Sequence, residues 1–121
     1  LKVLCEFVRA DLEGGYDIRQ KSLWRMISAA ALEATDERFS AYGEVQSVFS
    51  RKLQRLIERL QQDGKIDACV DPVTAARAIN AMTRECFRMY VHTEKLTIED
   101  MVATAHAQLS LLWKGLRPDA S

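Results

Sequence analysis

The sequence predicts an all-α protein, a bundle of about five helices, and three observations carry that reading. Apolar residues recur at spacings of three and four along most of the chain. No segment sustains the alternation of a strand, and no Asn-Gly or Asp-Gly stands between β-branched runs. Glycine falls between helical segments or near their ends, with Gly43 the exception at a cost of about 1 kcal/mol against alanine. With 121 residues the chain has room for one domain, able to bury roughly two-thirds of its unfolded surface.

Residues 1 to 12 place Leu1, Leu4, Phe7, Val8 and Leu12 at helical spacing, and the Gly14-Gly15 pair ends that helix. Asp17 or Ser22 is placed to cap the second helix, which carries Leu23, Trp24, Ile27, Ala30 and Ala31 on one side and should run to about Ala34. Asp36 is the N-cap expected for the longest helix, whose stripe is Phe39, Tyr42, Val45, Phe49, Leu53, Leu56 and Leu60. Gly64 should end it, because a left-handed residue is cheap only for glycine. Asp71-Pro72 opens a fourth helix reaching about His92: the aspartate can accept from an orphan amide, and proline has no amide to leave unpaired. Thr97 and Asp100 form a capping-box variant, with Leu96 and Met101 as a hydrophobic staple, and Gly115, Leu116 and Pro118 should end the last helix near Trp113 or Lys114.

Seventeen Lys and Arg balance seventeen Asp and Glu, which argues against a chain that itself grips nucleic acid or an anionic membrane. Cys5, Cys69 and Cys86 are odd in number and contain no C-x-x-C pair, so the expectation is reduced, buried thiols in a cytoplasmic protein. No apolar run approaches the ~20 residues of a membrane span. The chain opens at Leu1 within an apolar pattern, which predicts a segment upstream of it.

His92 and His106 have no second His or Cys at ligand spacing, so no metal is expected. No nucleophile elbow, phosphate loop, dinucleotide fingerprint or H-E-x-x-H occurs, and Glu6, Asp11, Glu33, Asp36, Glu37 and Glu58 read as capping or exposed carboxylates. The expectation is no enzyme and no cofactor. Arg51, Arg55 and Arg59 beside Lys52 read as the solvated face of the long helix, where positive charge near a C-terminus is favourable.

The helix faces speak of partners. On the last helix Ile98, Met101, Val102, Ala105, Leu109, Leu112, Trp113 and Leu116 fall within roughly 120° and form a core face, while the far side holds Ala103, Thr104, Ala107, Ser110 and Leu111, small and uncharged. The fourth helix is apolar over roughly 220°, leaving a strip of Arg77, Arg84 and Arg88. Such breadth fits a central helix packed on two sides by its own chain, or a helix that also meets a second copy in a two-fold four-helix interface. The interface residues expected on the second reading are Ala76, Thr83, Phe87 and Val91 with Ala103, Thr104, Ala107, Ser110 and Leu111. A small-molecule pocket would draw on Phe7, Trp24, Ile27, Tyr42, Phe49, Met82, Cys86 and Met89, a set that also fits plain core.

Three stretches in order, SLWRMISAAALEATDERFSAYGEV, RKLQRLIERLQQDGKIDACVDPVTAARAINAM and TIEDMVATAHAQLSLLWKGLRP, resemble the C-terminal regulatory domain of TetR-family transcriptional regulators. The residues carrying the resemblance are Gly64 after the long helix, Asp71-Pro72 with Ala75 and Ala76, and Leu112-Trp113 with Gly115-Leu116. The resemblance covers the chain from about Ser22 onward. It implies a homodimer whose last two helices pair with a second subunit, and a pocket for a small, largely apolar effector among the earlier helices. It also implies that operator DNA is read only by an N-terminal helix-turn-helix domain absent from these residues, in a cytoplasmic bacterial protein acting as a repressor. The competing expectation is a free-standing α-helical interaction module without a ligand.

Overall fold

A computed structural model describes residues 1–13, 21–33 and 37–118, with the side chains at 13, 28 and 30–47 outside that description. Among the described residues there are five helices and no strand: α1 Lys2–Glu13, α2 Lys21–Glu33, α3 Glu37–Gln62, α4 Pro72–His92 and α5 Ile98–Leu116. Gly14, Gly15, Asp17 and Asp36, the expected stop and cap residues of the first three helices, lie outside the described residues, and Ser22 sits within α2 rather than before it.

The C-terminal helices start and stop for local reasons. The end of α3 is a Schellman motif, in which the Gly64 amide donates to the Gln61 carbonyl at 3.0 Å and the Lys65 amide to the Leu60 carbonyl at 2.8 Å. That geometry needs the left-handed backbone that Gly64 adopts at φ 75°. Asp71 caps α4 by accepting from the Thr74 amide, with Pro72 at the first helical position. Thr97 and Asp100 satisfy each other's amides in a full capping box at the head of α5, and Leu96 and Met101 both pack on the core. The tail of α5 differs from expectation: the helix continues through Gly115 to Leu116, and Arg117 is extended at φ −66° and ψ 153°. Pro118 sets that stop, because the proline ring excludes helical backbone at the residue before it.

Helix α4 is the central element, touching α1, α2, α3 and α5, while α1 also packs on α5 and α2 on α3. The core joins Leu4, Val8 and Leu12 of α1 to Leu53, Ile57 and Leu60 of α3, Ala75, Ala76, Ile79, Cys86, Tyr90 and Val91 of α4, and Met101, Val102, Ala105 and Leu109 of α5. Ile57, fully buried, belongs to the α3 stripe although its spacing from Leu53 and Leu60 equally allows the Leu56 register. Within the expected stripe, Phe39, Tyr42 and Val45 fall among the undescribed side chains.

The expected buried side of α2 is only partly found. Leu23 and Ile27 are exposed, and Lys21 is buried instead. The reason is electrostatic: the Lys21 ammonium donates to the carbonyls of Thr93 at 2.6 Å, Glu94 at 3.1 Å and Leu96 at 2.7 Å, just past the C-terminus of α4. It also stands 4.4 Å over the Tyr90 ring. One turn on, Arg25 donates to the Val91 carbonyl at 2.6 Å and to Glu94. A cation is favourable at the negative end of a helix, so two basic residues of α2 fasten it to the end of α4.

Candidate functional site

Helix α2 meets the C-terminal half of α4 through aromatic rings. Trp24 lies between Lys21 and Arg25 on α2, and its ring meets Phe87 edge-on with centroids 5.4 Å apart. Phe87 in turn stands 6.5 Å from the Tyr90 ring. An edge-to-face pair places the positive rim of one ring on the negative face of the other. The aromatic wall is therefore Trp24, Phe87 and Tyr90, held at one end by the Lys21 clamp.

Those of the expected pocket residues whose side chains are described do not gather around one enclosed space. Phe7, Trp24 and Met82 pack against the core at intermediate exposure, and Cys86 lies inside it. Cys86 faces α5, where its thiol donates to Gln108 Oε1 at 3.2 Å, and burial, with the charge of Glu85, pushes that thiol up from its usual range. Trp24 meets α4 on another flank, through Phe87. Met89 is 48 % exposed and Ile27 38 % exposed, so neither lines an enclosed space in this fold. Phe49 is half-buried and Tyr42 lies outside the described side chains.

The nine residues expected at a dimer interface divide cleanly. Ala76 and Thr83 are each 2 % exposed and Val91 is 0 % exposed, all covered by the chain's own core, so they leave no surface for a partner. Thr83 spends its hydroxyl on the Ile79 carbonyl within α4. Phe87 is half-buried against Trp24. The α5 residues are different: Ala103, Thr104, Ala107 and Ser110 are exposed, and Leu111 is 70 % exposed. From Met101 to Trp113 this helix carries no Asp, Glu, Lys or Arg. Leu112, expected in the core, and Met89 of α4 add further exposed apolar surface, and both lie on helix flanks next to the Cys86–Gln108 contact.

A part-buried ion pair has no counterpart in the sequence reading. Asp11 of α1, expected at a capping or exposed position, has a side chain only 8 % exposed and pairs with Arg84 of α4, which was expected on a polar strip and is 27 % exposed. Burial raises the Asp11 carboxyl above its ordinary value, while the charge and hydrogen bond of Arg84 pull the other way. On its other flank α1 is tied to α5, where His106 Nε2 lies 3.2 Å from the Cys5 carbonyl and Arg9 pairs with Glu99 at 3.5 Å. Of the cysteines, Cys86 is buried, Cys5 half-buried and Cys69 exposed, so the expectation of three buried thiols holds for one. Arg51, Lys52, Arg55 and Arg59 are exposed along α3. None of the described helices is long and apolar enough to cross a membrane.

The fold and these contacts define a five-helix all-α bundle with a central α4. Comparison with family models, curated proteins and solved structures finds no match for the chain.

Proposed function

We propose that the chain is the effector-sensing and dimerisation domain of a TetR-like transcriptional regulator, acting in the bacterial cytoplasm as a repressor that a small, largely apolar ligand releases from DNA. The observation that carries this reading is the outer face of α5. Ala103, Thr104, Ala107, Ser110 and Leu111 are exposed and without charge, where a helix facing water is normally covered by charged side chains. Small residues let a second helix approach closely, and an apolar patch on a soluble protein marks a docking surface. A second copy is the occupant that the order of elements favours, since a two-fold axis beside α5 would bring α4 and α5 of both chains into one four-helix layer. Ala76, Thr83 and Val91 take no part in it.

The aromatic wall of Trp24 and Phe87 supports the sensing half of the proposal. It joins α2 to α4, so a ligand wedged there would bear on both. Such a ligand acts only through its different affinity for two arrangements of the helices. DNA would be read by an N-terminal helix-turn-helix domain continuous with α1, and half-sites about 34 Å apart would feel any change in the spacing of two such readers.

Ala107→Arg tests the interface directly, because it sets a long charged side chain on the small face. The variant should be monomeric where the parent chain is dimeric. A variant that remains dimeric at low micromolar concentration would remove the assignment of α5. For sensing, quenching or enhancement of Trp24 emission in a Trp113→Phe background should report apolar ligands, and indifference across a broad lipophilic set would mean that the wall is closed core.

A further inference from the structure

Helix α3 turns a row of cations outward. From residue 51 to its end at Gln62, its exposed residues are Arg51, Lys52, Arg55, Arg59 and Gln62. At 3.6 residues per turn Lys52, Arg55 and Arg59 fall within about 60° of one another, turned away from the buried Leu53, Ile57 and Leu60. Glu58, the acid of this stretch, is half-buried and accepts from the Gln54 side-chain amide at 3.1 Å. Elsewhere Arg9, Arg25, Arg84 and Arg88 each pair with a carboxylate, whereas Lys52, Arg55 and Arg59 make no ion pair among the described residues. The balance of seventeen cations and seventeen acids is therefore a sum over unlike faces, and it does not neutralise this one.

The chemistry of the face selects its partner. A protein partner would need apolar anchors near the centre of the contact, and none of the exposed residues from 51 to 62 is apolar. A phosphodiester backbone needs none, because its attraction comes from charge and the release of counterions. The spacing agrees with such a backbone. Lys52 and Arg59 stand about 10 Å apart along the helix axis, and each strand of a duplex carries one phosphate per about 3.4 Å, so three cations meet about three phosphates. Two of the three are arginines, whose flat fork takes two phosphate oxygens at once.

We propose that the face of Lys52, Arg55 and Arg59 on α3 is a docking surface for the phosphate backbone of duplex DNA, which it grips without reading sequence. Phosphate contacts fix position and orientation, while base contacts specify. The surface goes beyond the proposed function, in which an upstream domain reads the bases: it puts a backbone grip on the sensing domain itself.

The test is fluorescence anisotropy of a labelled duplex of mixed sequence, titrated with the whole chain at salt concentrations from about 10 to about 50 mM. The logarithm of the affinity should fall against the logarithm of the salt concentration with a slope of about −2.7, a loss of roughly 80-fold over that range. A duplex of unrelated sequence should bind equally well. Lys52→Glu with Arg55→Glu and Arg59→Glu should abolish binding while the helical circular dichroism stays that of the parent. Should the triple reversal disturb the fold, Arg55→Gln with Arg59→Gln removes two contacts and should flatten the slope to about −0.9. Three results would each overturn the assignment: no binding at about 10 mM salt, a slope unchanged in the glutamine variant, or polyglutamate held more tightly than the duplex at equal charge. The last would give the face to an acidic protein instead. The two proposals fail separately. Duplex binding by a chain that stays monomeric keeps this surface and removes the regulator reading, and a dimer split by Ala107→Arg that ignores DNA does the reverse.

Discussion

Lys21 concentrates on one atom what a helical wheel does not reveal. Its ammonium is buried because three carbonyls receive it, and those carbonyls belong to Thr93, Glu94 and Leu96, the first of them 72 positions away in sequence. Lys21→Met keeps the length of the side chain and deletes the donor, leaving those acceptors without it. The expected loss is about 2 kcal/mol of unfolding free energy, within the range for hydrogen bonds to a charged group. A chemical-denaturation midpoint unchanged from the parent would contradict the clamp.

Asp11 gives a second residue-scale expectation, with an unusual sign. Burial raises its folded carboxyl above the ordinary value of 3.8, so the folded state holds the proton more readily than the unfolded state does. Its contribution to stability is therefore best at low pH and declines as the pH rises through the window above 3.8. Asp11→Asn should flatten that part of the pH–stability curve, and a slope that persists would assign it to another group. Asp11→Ala, which leaves the part-buried Arg84 charge without its partner, should cost about 1.5 kcal/mol, whereas Asp11→Leu with Arg84→Met should lie within about 1 kcal/mol of the parent.

For the helices themselves, legibility follows the range of the forces involved. The heads of α4 and α5 were readable because Asp71 with Thr74 and Thr97 with Asp100 interact across three residues. The end of α3 was readable because Gly64 alone permits its backbone. Thr97→Ala should cost about 1 kcal/mol, and Gly64→Ala about 1 kcal/mol, the cost of a Cβ in left-handed backbone. In the second case the new methyl meets nothing within 4 Å, so thermal melting of that variant isolates backbone conformation from crowding. An unaltered melting temperature would mean that the left-handed turn is not kept in solution. Helix α2 was misjudged in part for the opposite reason: the periodicity of Leu23, Trp24 and Ile27 is local, but the carbonyls that bury Lys21 and engage Arg25 come from the far end of the chain.

The candidate sites were legible to the same degree. A wheel identifies the faces of α4 as apolar but does not say which neighbour covers each one, and so Ala76, Thr83 and Val91 were assigned to a partner when the chain's own helices cover them. Asp11 read as a capping or exposed carboxylate and Arg84 as part of a polar strip, for want of any signal linking α1 to α4; the pair joins residues 73 apart. The outer face of α5 was readable because it depends on one helix alone.

At the scale of the whole molecule, α4 lies at the centre of a bundle in which α2 is fastened to its C-terminal end and α1 is shared between it and α5. Among the described residues the same arrangement leaves a broad uncharged surface on α5 turned outward. Burying that surface against a second copy should raise resistance to heat as protein concentration increases, since association stabilises the folded state by mass action. A melting temperature independent of concentration would count against association.

The most direct measurement is the mass of the unmodified chain in solution, taken by sedimentation equilibrium over a range of micromolar concentrations. The proposed function predicts a species of twice the 13.7 kDa chain mass, and one that Ala107→Arg returns to 13.7 kDa. A parent chain that sediments at 13.7 kDa throughout would contradict it, and the outer face of α5 would then have to be assigned to something other than a second copy.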